Sequence, residues 1–255
     1  MVKVFVLGSS GFIGFAVALA LRRNGHRVYG LVRDPAKVPN LAKHEITPVI
    51  GDVLQPSSWT SVIESEGIDV IVDSSNIGKD LVAWRPATEN ELLSLSDVLD
   101  VAVIRPTMVY GGSGSIFSML VAPIAAAVKE GASEVKVLGR KFELSVIHKD
   151  DVADFTLKVV EKISYVGALS YSVFDITTQH ESYTDIIEAA AKHMGFTGAI
   201  TYRDPEGTMT MLEQAILTQF NTSSDRARTY LGWEPRHRDI MGQIDIYAAT
   251  MVAHL

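Results

Sequence analysis

The sequence predicts an α/β protein: a doubly wound parallel sheet followed by a small C-terminal α/β lobe. Three observations predict it. Strand-like and helix-like runs alternate from Val4 to Ile104. The first strand runs straight into a glycine-rich turn, Gly8-Ser-Ser-Gly11-Phe-Ile-Gly14, which opens an amphipathic helix. Beyond Tyr110-Gly111-Gly112-Ser113-Gly114-Ser115 the alternation loosens and helical patterns dominate.

The elements follow in order. Val4 to Leu7 is a short β-branched and aromatic run ending in Gly8, which predicts a buried strand. Ile13, Val17 and Leu21 recur every four residues with Gly14 and Ala18 beside them, one apolar helix face that closes at Asn24-Gly25. Val28 to Val32 predicts the second strand, Ile46 to Ile50 the third and Ile68 to Val72 the fourth, with Trp59, Val62 and Ile63 marking a helix between the last two. A helix is expected from Pro86 to Ser96 and a strand from Val101 to Ile104. Strands alternating with helices give a parallel sheet with right-handed crossovers. Further helices are expected at Ile116 to Lys129, Asp151 to Lys162, Tyr183 to Met194 and Ile240 to Ala253, with Ser182-x-x-Asp185 as a capping box and Gly195 as a C-cap. No internal repeat or linker interrupts the chain, so the expected division is a core over residues 1–110 and a C-terminal part over 111–255 that forms a lobe and packs back on the core.

Composition excludes several function classes. With 255 residues, 47% hydrophobic and 21% charged, the chain can bury a sizeable core. A net charge of −7 argues against a nucleic-acid partner, which needs a basic surface. The absence of cysteine removes disulfides, thiolate nucleophiles and cysteine-based metal sites. Met1 to Leu7 leads directly into the turn, without the longer apolar stretch of a secretory signal. Ser118 to Val128 is apolar but too short to span a membrane, so a soluble, cytoplasmic protein is expected.

The glycine turn carries the chemistry. Gly8 makes the tight turn, Gly11 lets backbone approach a pyrophosphate, and Gly14 lets helix and strand pack closely, so that the helix N-terminus points at the anion. Its place between strand and helix is the context that turns a common pattern into a Rossmann-type dinucleotide site. The residues expected at the cofactor are Gly8, Ser10, Gly11, Phe12, Ile13 and Gly14, then Arg33, Asp52 and Val53. Arg33 follows the second strand, where an arginine accommodates the 2′-phosphate of NADP and an acid would bind the 2′-hydroxyl of NAD. NADP(H) is therefore favoured over NAD(H), with Asp34 the residue that could reverse the preference or simply cap Pro35. Asp52 in Gly51-Asp52-Val53 suits the adenine amino group, or is an ordinary loop aspartate.

Together these residues resemble the extended and atypical short-chain dehydrogenase/reductase superfamily, the NAD(P)-dependent epimerase/dehydratase group. Gly8-x-x-Gly11-x-x-Gly14 is similar to its cofactor turn and Gly51-Asp52 to its adenine-side motif. Arg105-Pro-Thr-Met-Val-Tyr110-Gly111, Val146-Ile-His148-Lys-Asp150-Asp151-Val-Ala153 and Ser223-Ser-Asp-Arg-Ala-Arg228-x-x-Leu231-Gly232-Trp233-x-Pro235 are similar to its later elements. The resemblance implies an oxidoreductase or epimerase acting on a small carbonyl or hydroxyl compound. It also implies a catalytic Tyr-x-x-x-Lys and a serine at the end of the fifth strand.

Here the sequence departs. In Trp84-Arg85-Pro-Ala-Thr-Glu89, Arg85 falls on the lysine position and Leu81 on the tyrosine position, and leucine has no proton to give. Too little chain lies between Asp73 and that helix for the family's fourth helix and fifth strand, since a parallel crossover takes a dozen or more residues. The sheet is therefore expected to be one strand–helix unit short, with the Val101 strand pairing directly with the Ile68 strand. Remaining catalytic candidates are Ser75 (with Ser74), Tyr110 and Arg85. The loop serines suit capping and Tyr110 a structural place. His148 before Asp150-Asp151 reads as structural, Asp150 as an N-cap and Asp151 as a first-turn charge. No histidine spacing assigns a metal. Met209-Thr210-Met211 suits lobe core or a cleft wall. The partner expected is a small-molecule substrate or none. The rival to an active enzyme is a catalytically impaired nucleotide-binding redox sensor, or a truncated variant of such an enzyme.

Overall fold

The computed structural model describes residues 1–75, 85–210, 213–214, 217 and 221–253. The chain divides into two compact units, and the division is discontinuous. The first takes in the N-terminal residues, Pro86–Ala102 and Val152–Ser172, and the second Val103–Asp151 and Val173–Leu255. The expected boundary at residue 110 thus falls earlier, and one later segment returns to the first unit.

In the first unit β1 (Lys3–Leu7) is central. It pairs in parallel with β2 (Arg27–Val32) on one side and β4 (Val70–Asp73) on the other, and β3 (Thr47–Ile50) lies outside β2. The order β3-β2-β1-β4 is that of a Rossmann half-sheet. A central parallel strand is covered on both faces, which is why Val4, Phe5, Val6 and Leu7 are all apolar and buried. One face meets α1 (Phe12–Arg23) through Val17, Ala18 and Leu21, joined by Ala153, Leu157 and Val160 from α6 (Lys149–Glu161). The other face carries Phe5, Leu7, Tyr29, Leu31 and Trp59, with Val62 and Ile63 of α3 (Thr60–Glu66) against them. Burying a side chain such as Leu21 is worth roughly 1.5–3 kcal/mol. The short helices α2 (Val38–Ala42) and α7 (Ile163–Gly167) also belong to this unit, and the helix expected after Asp73 is observed as α4 (Arg85–Leu93).

In the second unit, β5 (Val103–Pro106) pairs in parallel with β9 (Val173–Ile176). This corrects the expected pairing: among the described residues β4 has β1 as its ladder partner, and Val103 registers with Val173. Pairing of strands is settled by long-range contacts, and adjacency in sequence misled the expectation. A three-stranded sheet follows, with β8 (Glu143–His148) between β10 (Gln179–Ser182) and β6 (Met108–Tyr110). A parallel pair joins β7 (Glu134–Leu138) to β11 (Ala199–Arg203). Most of these strands went unread in the sequence. The unit's core gathers Phe117, Val121 and Ile124 of α5 (Ile116–Glu130), Ile186 and Ile187 of α8 (Tyr183–His193), and Tyr247 of the helix Ile244–Val252. The capping serine is as expected, Ser182 Oγ accepting from the Asp185 N–H at 3.4 Å, and Gly195 follows α8 at φ +82°.

Candidate dinucleotide site

The turn after β1 is shaped by what its glycines cannot carry. Gly8 has φ +73°, and a Cβ there would lie 2.7 Å from the Ser74 carbonyl oxygen. A Cβ on Gly14 would fall into the Gly8 carbonyl. Gly11 differs: its φ is −84°, it is exposed, and a Cβ would meet only the Gly8 oxygen, at 3.1 Å. Gly8 and Gly14 are thus fixed by packing, and Gly11 leaves open space where a ligand would sit.

Gly11 is the N-cap of α1, and no side chain caps that helix. Its own N–H donates back to the Gly8 carbonyl at 2.8 Å, which closes the turn. The first N–H groups of an α-helix have no intrahelical acceptor, and the helix dipole adds partial positive charge there. Ser10, Phe12 and Ile13 stand around this end and are partly exposed. The arrangement suits a pyrophosphate, and the open face of Gly11 is where it would fit.

Beneath the turn, the Ser9 hydroxyl donates to the Leu31 carbonyl at 2.9 Å, fully buried. A Cβ on Gly30 would lie 2.7 Å from that hydroxyl oxygen, so the serine and the glycine are matched. Sequence reading missed both; a buried polar residue inside the turn and a glycine inside β2 were the available signals.

Arg33 follows β2 directly and is exposed. Asp34 caps the next turn instead of reaching outward, its carboxylate accepting from the Ala36 N–H at 2.9 Å with Pro35 at the first helical position. The Asp52 carboxylate accepts from the Leu54 N–H at 3.0 Å, and its carbonyl accepts from the Trp59 indole at 3.1 Å. Asp52 therefore holds its own loop with one carboxylate oxygen, and Val53 packs beside Trp59 in the same cluster.

Each catalytic candidate has its own local setting. The Ser75 hydroxyl donates to the Asp73 carboxylate at 2.6 Å, and the Ser75 N–H donates to the same oxygen at 2.8 Å, the capping role expected of a loop serine. Arg85 begins its helix and is exposed, and Leu81 lies outside the described residues. Tyr110 is fully buried, and its hydroxyl donates to the His237 carbonyl at 3.3 Å. Burial, with the neighbouring Tyr247, pushes its ionisation far above the ordinary phenol range.

His148 is buried with its ring stacked on His237 at 3.9 Å between centroids and 21° between planes. Desolvation, and then the His237 charge, lower its pKa to about 4. His148, Asp150 and His237 bring ligand-type atoms within 4.8 Å of one another. Yet stacked imidazoles aim their lone pairs along separate planes, and His148 Nδ1 already accepts from the Asp150 N–H at 3.2 Å. Asp150 is not the expected N-cap, because α6 begins at Lys149; its carboxylate pairs with Lys149 Nζ at 2.8 Å. Asp151 is more than a first-turn charge. Fully buried, it accepts from the backbone N–H groups of Arg236 (2.8 Å) and His237 (3.0 Å). Of the methionine segment, Met209 is exposed, Thr210 lines a cleft and Met211 lies outside the described residues.

Comparison with known proteins agrees with this geometry. Residues 4–94 match the model of the NAD dependent epimerase/dehydratase family. Over 112 residues the chain is 32% identical to glycerol-3-phosphate dehydrogenase [NAD(P)+] of Chlamydia muridarum; the match takes in 42% of this chain and only 32% of that protein's length. Among solved structures it is similar to UDP-glucose 4-epimerase from Bifidobacterium longum in complex with NAD+ and UDP, at TM-score 0.69 and 13% identity, covering 98% of this chain and 97% of that one. It is also similar to the UDP-glucose-4-epimerase from Stenotrophomonas maltophila with bound NAD and formylated UDP-arabinopyranose, at TM-score 0.73 and 15% identity over 100% of both chains. Among the described residues no helix is long and apolar enough to cross a membrane. The phosphate turn lies inside the segment that matches the NAD dependent epimerase/dehydratase family, and the chain has the fold seen in these two UDP-glucose 4-epimerases.

Proposed function

We propose that this protein binds NADP(H) at the Gly8–Gly14 turn and holds it without the family's usual proton-transfer pair. The observation that carries this reading is the uncapped N-terminus of α1 beneath an open Gly11. The NADP preference rests on exposed Arg33 beside an Asp34 committed to capping. A bound nicotinamide supplies a hydride donor or acceptor, and reduction of a carbonyl also needs a proton placed at the substrate oxygen. No Tyr-x-x-x-Lys occurs anywhere in the sequence. Ser75 is tied to Asp73, and Tyr110 is sealed in a core. The reading is thus a nucleotide-responsive sensor or interaction module, soluble and cytoplasmic.

The competing reading is an active oxidoreductase or epimerase on a small carbonyl or hydroxyl compound, which the fold-wide similarity to epimerases favours. One experiment separates them. NADPH fluorescence is titrated with the protein, then hydride transfer is followed against a panel of aldehydes, ketones and sugar nucleotides. Binding without turnover is the expected result. Turnover restores the enzyme reading, and absence of NADPH binding overturns the proposal altogether.

A further inference from the structure

The second unit contains a cleft of about 330 Å³, at the lower end of the range for small-molecule sites. Four of its lining residues are apolar: Met119, Leu120 and Pro123 from α5, with Leu138 from β7. Met119 and Pro123 are four apart and share a helix face, and Met119 is 57% exposed there, a polarizable side chain that adapts to an apolar guest.

The other lining residues are polar or charged. Lys136 lies two residues before Leu138 on β7, which puts the two on one face of the strand. Arg203 registers opposite Leu138 across the β7–β11 pair. Arg203 is already matched: its Nη1 lies 3.5 Å from a Glu213 carboxylate oxygen. Glu213 is fixed in turn by the Thr210 N–H at 2.9 Å and the Thr210 hydroxyl at 3.0 Å, and these bonds hold its carboxyl below the usual range. Lys136 is exposed and has no ion-pair partner among the described residues. Two cations and one anion leave the described lining residues with a single positive charge, at Lys136.

We propose that this cleft binds a small apolar monocarboxylate, its chain on Met119, Leu120, Pro123 and Leu138 and its carboxylate at Lys136. One net positive charge matches one carboxylate, whereas a diphosphate would bring more negative charge than the lining offsets. The inference is independent of dinucleotide binding, so either can fail alone.

The test is calorimetric titration of the full chain with octanoate, decanoate and dodecanoate, with decanol as the uncharged control and UDP as the diphosphate control. Affinity is expected to rise with chain length and to exceed that for decanol and UDP. Lys136→Glu, an exposed position whose thermal melt checks folding, is expected to weaken decanoate at least tenfold and leave NADPH affinity unchanged. A second variant, Met119→Glu, should remove decanoate binding from the apolar side. No carboxylate binding, equal binding to Lys136→Glu, or UDP binding tighter than every carboxylate each overturns the proposal.

Discussion

The Ser9 hydroxyl and the Leu31 carbonyl, 2.9 Å apart and fully enclosed, join the phosphate turn to the end of β2. The two ends of the expected dinucleotide, pyrophosphate and adenosine ribose, would therefore rest on parts that move together. Ser9→Ala leaves the Leu31 carbonyl buried and unsatisfied, which costs roughly 1–3 kcal/mol. A lower denaturant midpoint at unchanged slope, with weaker NADPH binding, is the expected pair of results.

Gly11 and Gly14 should separate binding from folding. Gly11→Asp makes one tight contact, its Cβ 3.1 Å from the Gly8 oxygen, and puts a carboxylate where the pyrophosphate would lie, so NADPH binding is lost while the melting temperature falls less than in Gly14→Ala. Gly14→Ala drives a Cβ into the Gly8 carbonyl, so binding and melting temperature fall together. Equal thermal losses in both variants would contradict this division of roles.

Arg33 carries the choice between the two cofactors. Arg33→Ala removes an exposed charge that the fold does not use, so stability should stay within about 0.5 kcal/mol. NADPH affinity is expected to fall about tenfold while NADH affinity stays the same, read from the two fluorescence titrations side by side. An unchanged ratio removes the basis for the NADP preference.

His148 predicts acid sensitivity. Its folded pKa is about 4, against an ordinary value of 6.5, because burial and His237 disfavour the cation; Lys149 adds to this and Asp150 and Asp151 oppose it. Between those values the unfolded chain binds the proton and the folded chain resists it, so stability is full above about 6.5 and is lost as pH falls toward about 4. Each unit of separation is about 1.4 kcal/mol, so the loss across the window is a few kcal/mol. Urea midpoints measured from neutral pH down to pH 4 should show this decline, and His148→Gln should flatten it.

What could be read from the sequence was what is local. Val4 to Leu7 and the glycine turn state their structure within a dozen residues, because a buried strand and an anion-binding helix start each impose a short, strict pattern. The Asp34 cap and the Ser75 loop bond are equally local, at two residues' separation. Asp151 is a first-turn charge as expected, but its acceptor role was not legible because it depends on Arg236 and His237, 85 and 86 residues away. Ser224 is similar: its hydroxyl donates to the Thr177 carbonyl at 2.6 Å and accepts from the Thr177 N–H at 2.8 Å, from 47 residues away. The strands β7 and β8 do show alternation, Val135-Lys-Val137 and Phe142-Glu-Leu144-Ser-Val146, but in runs too short to stand out beside the helices.

The return of residues 152–172 to the first unit sets a timetable for synthesis. Ala153, Leu157 and Val160 fill the same apolar cluster as Val4, Val6 and Leu21. While only the first hundred or so residues have left the ribosome, α1 covers that face alone and the part filled by Ala153, Leu157 and Val160 is still open. The nascent nucleotide-binding half must therefore wait, sticky and incomplete, until most of the lobe that interrupts it has begun to emerge. A chaperone that shields the α1 side of the sheet during that interval would act where the chain is most exposed to misassembly.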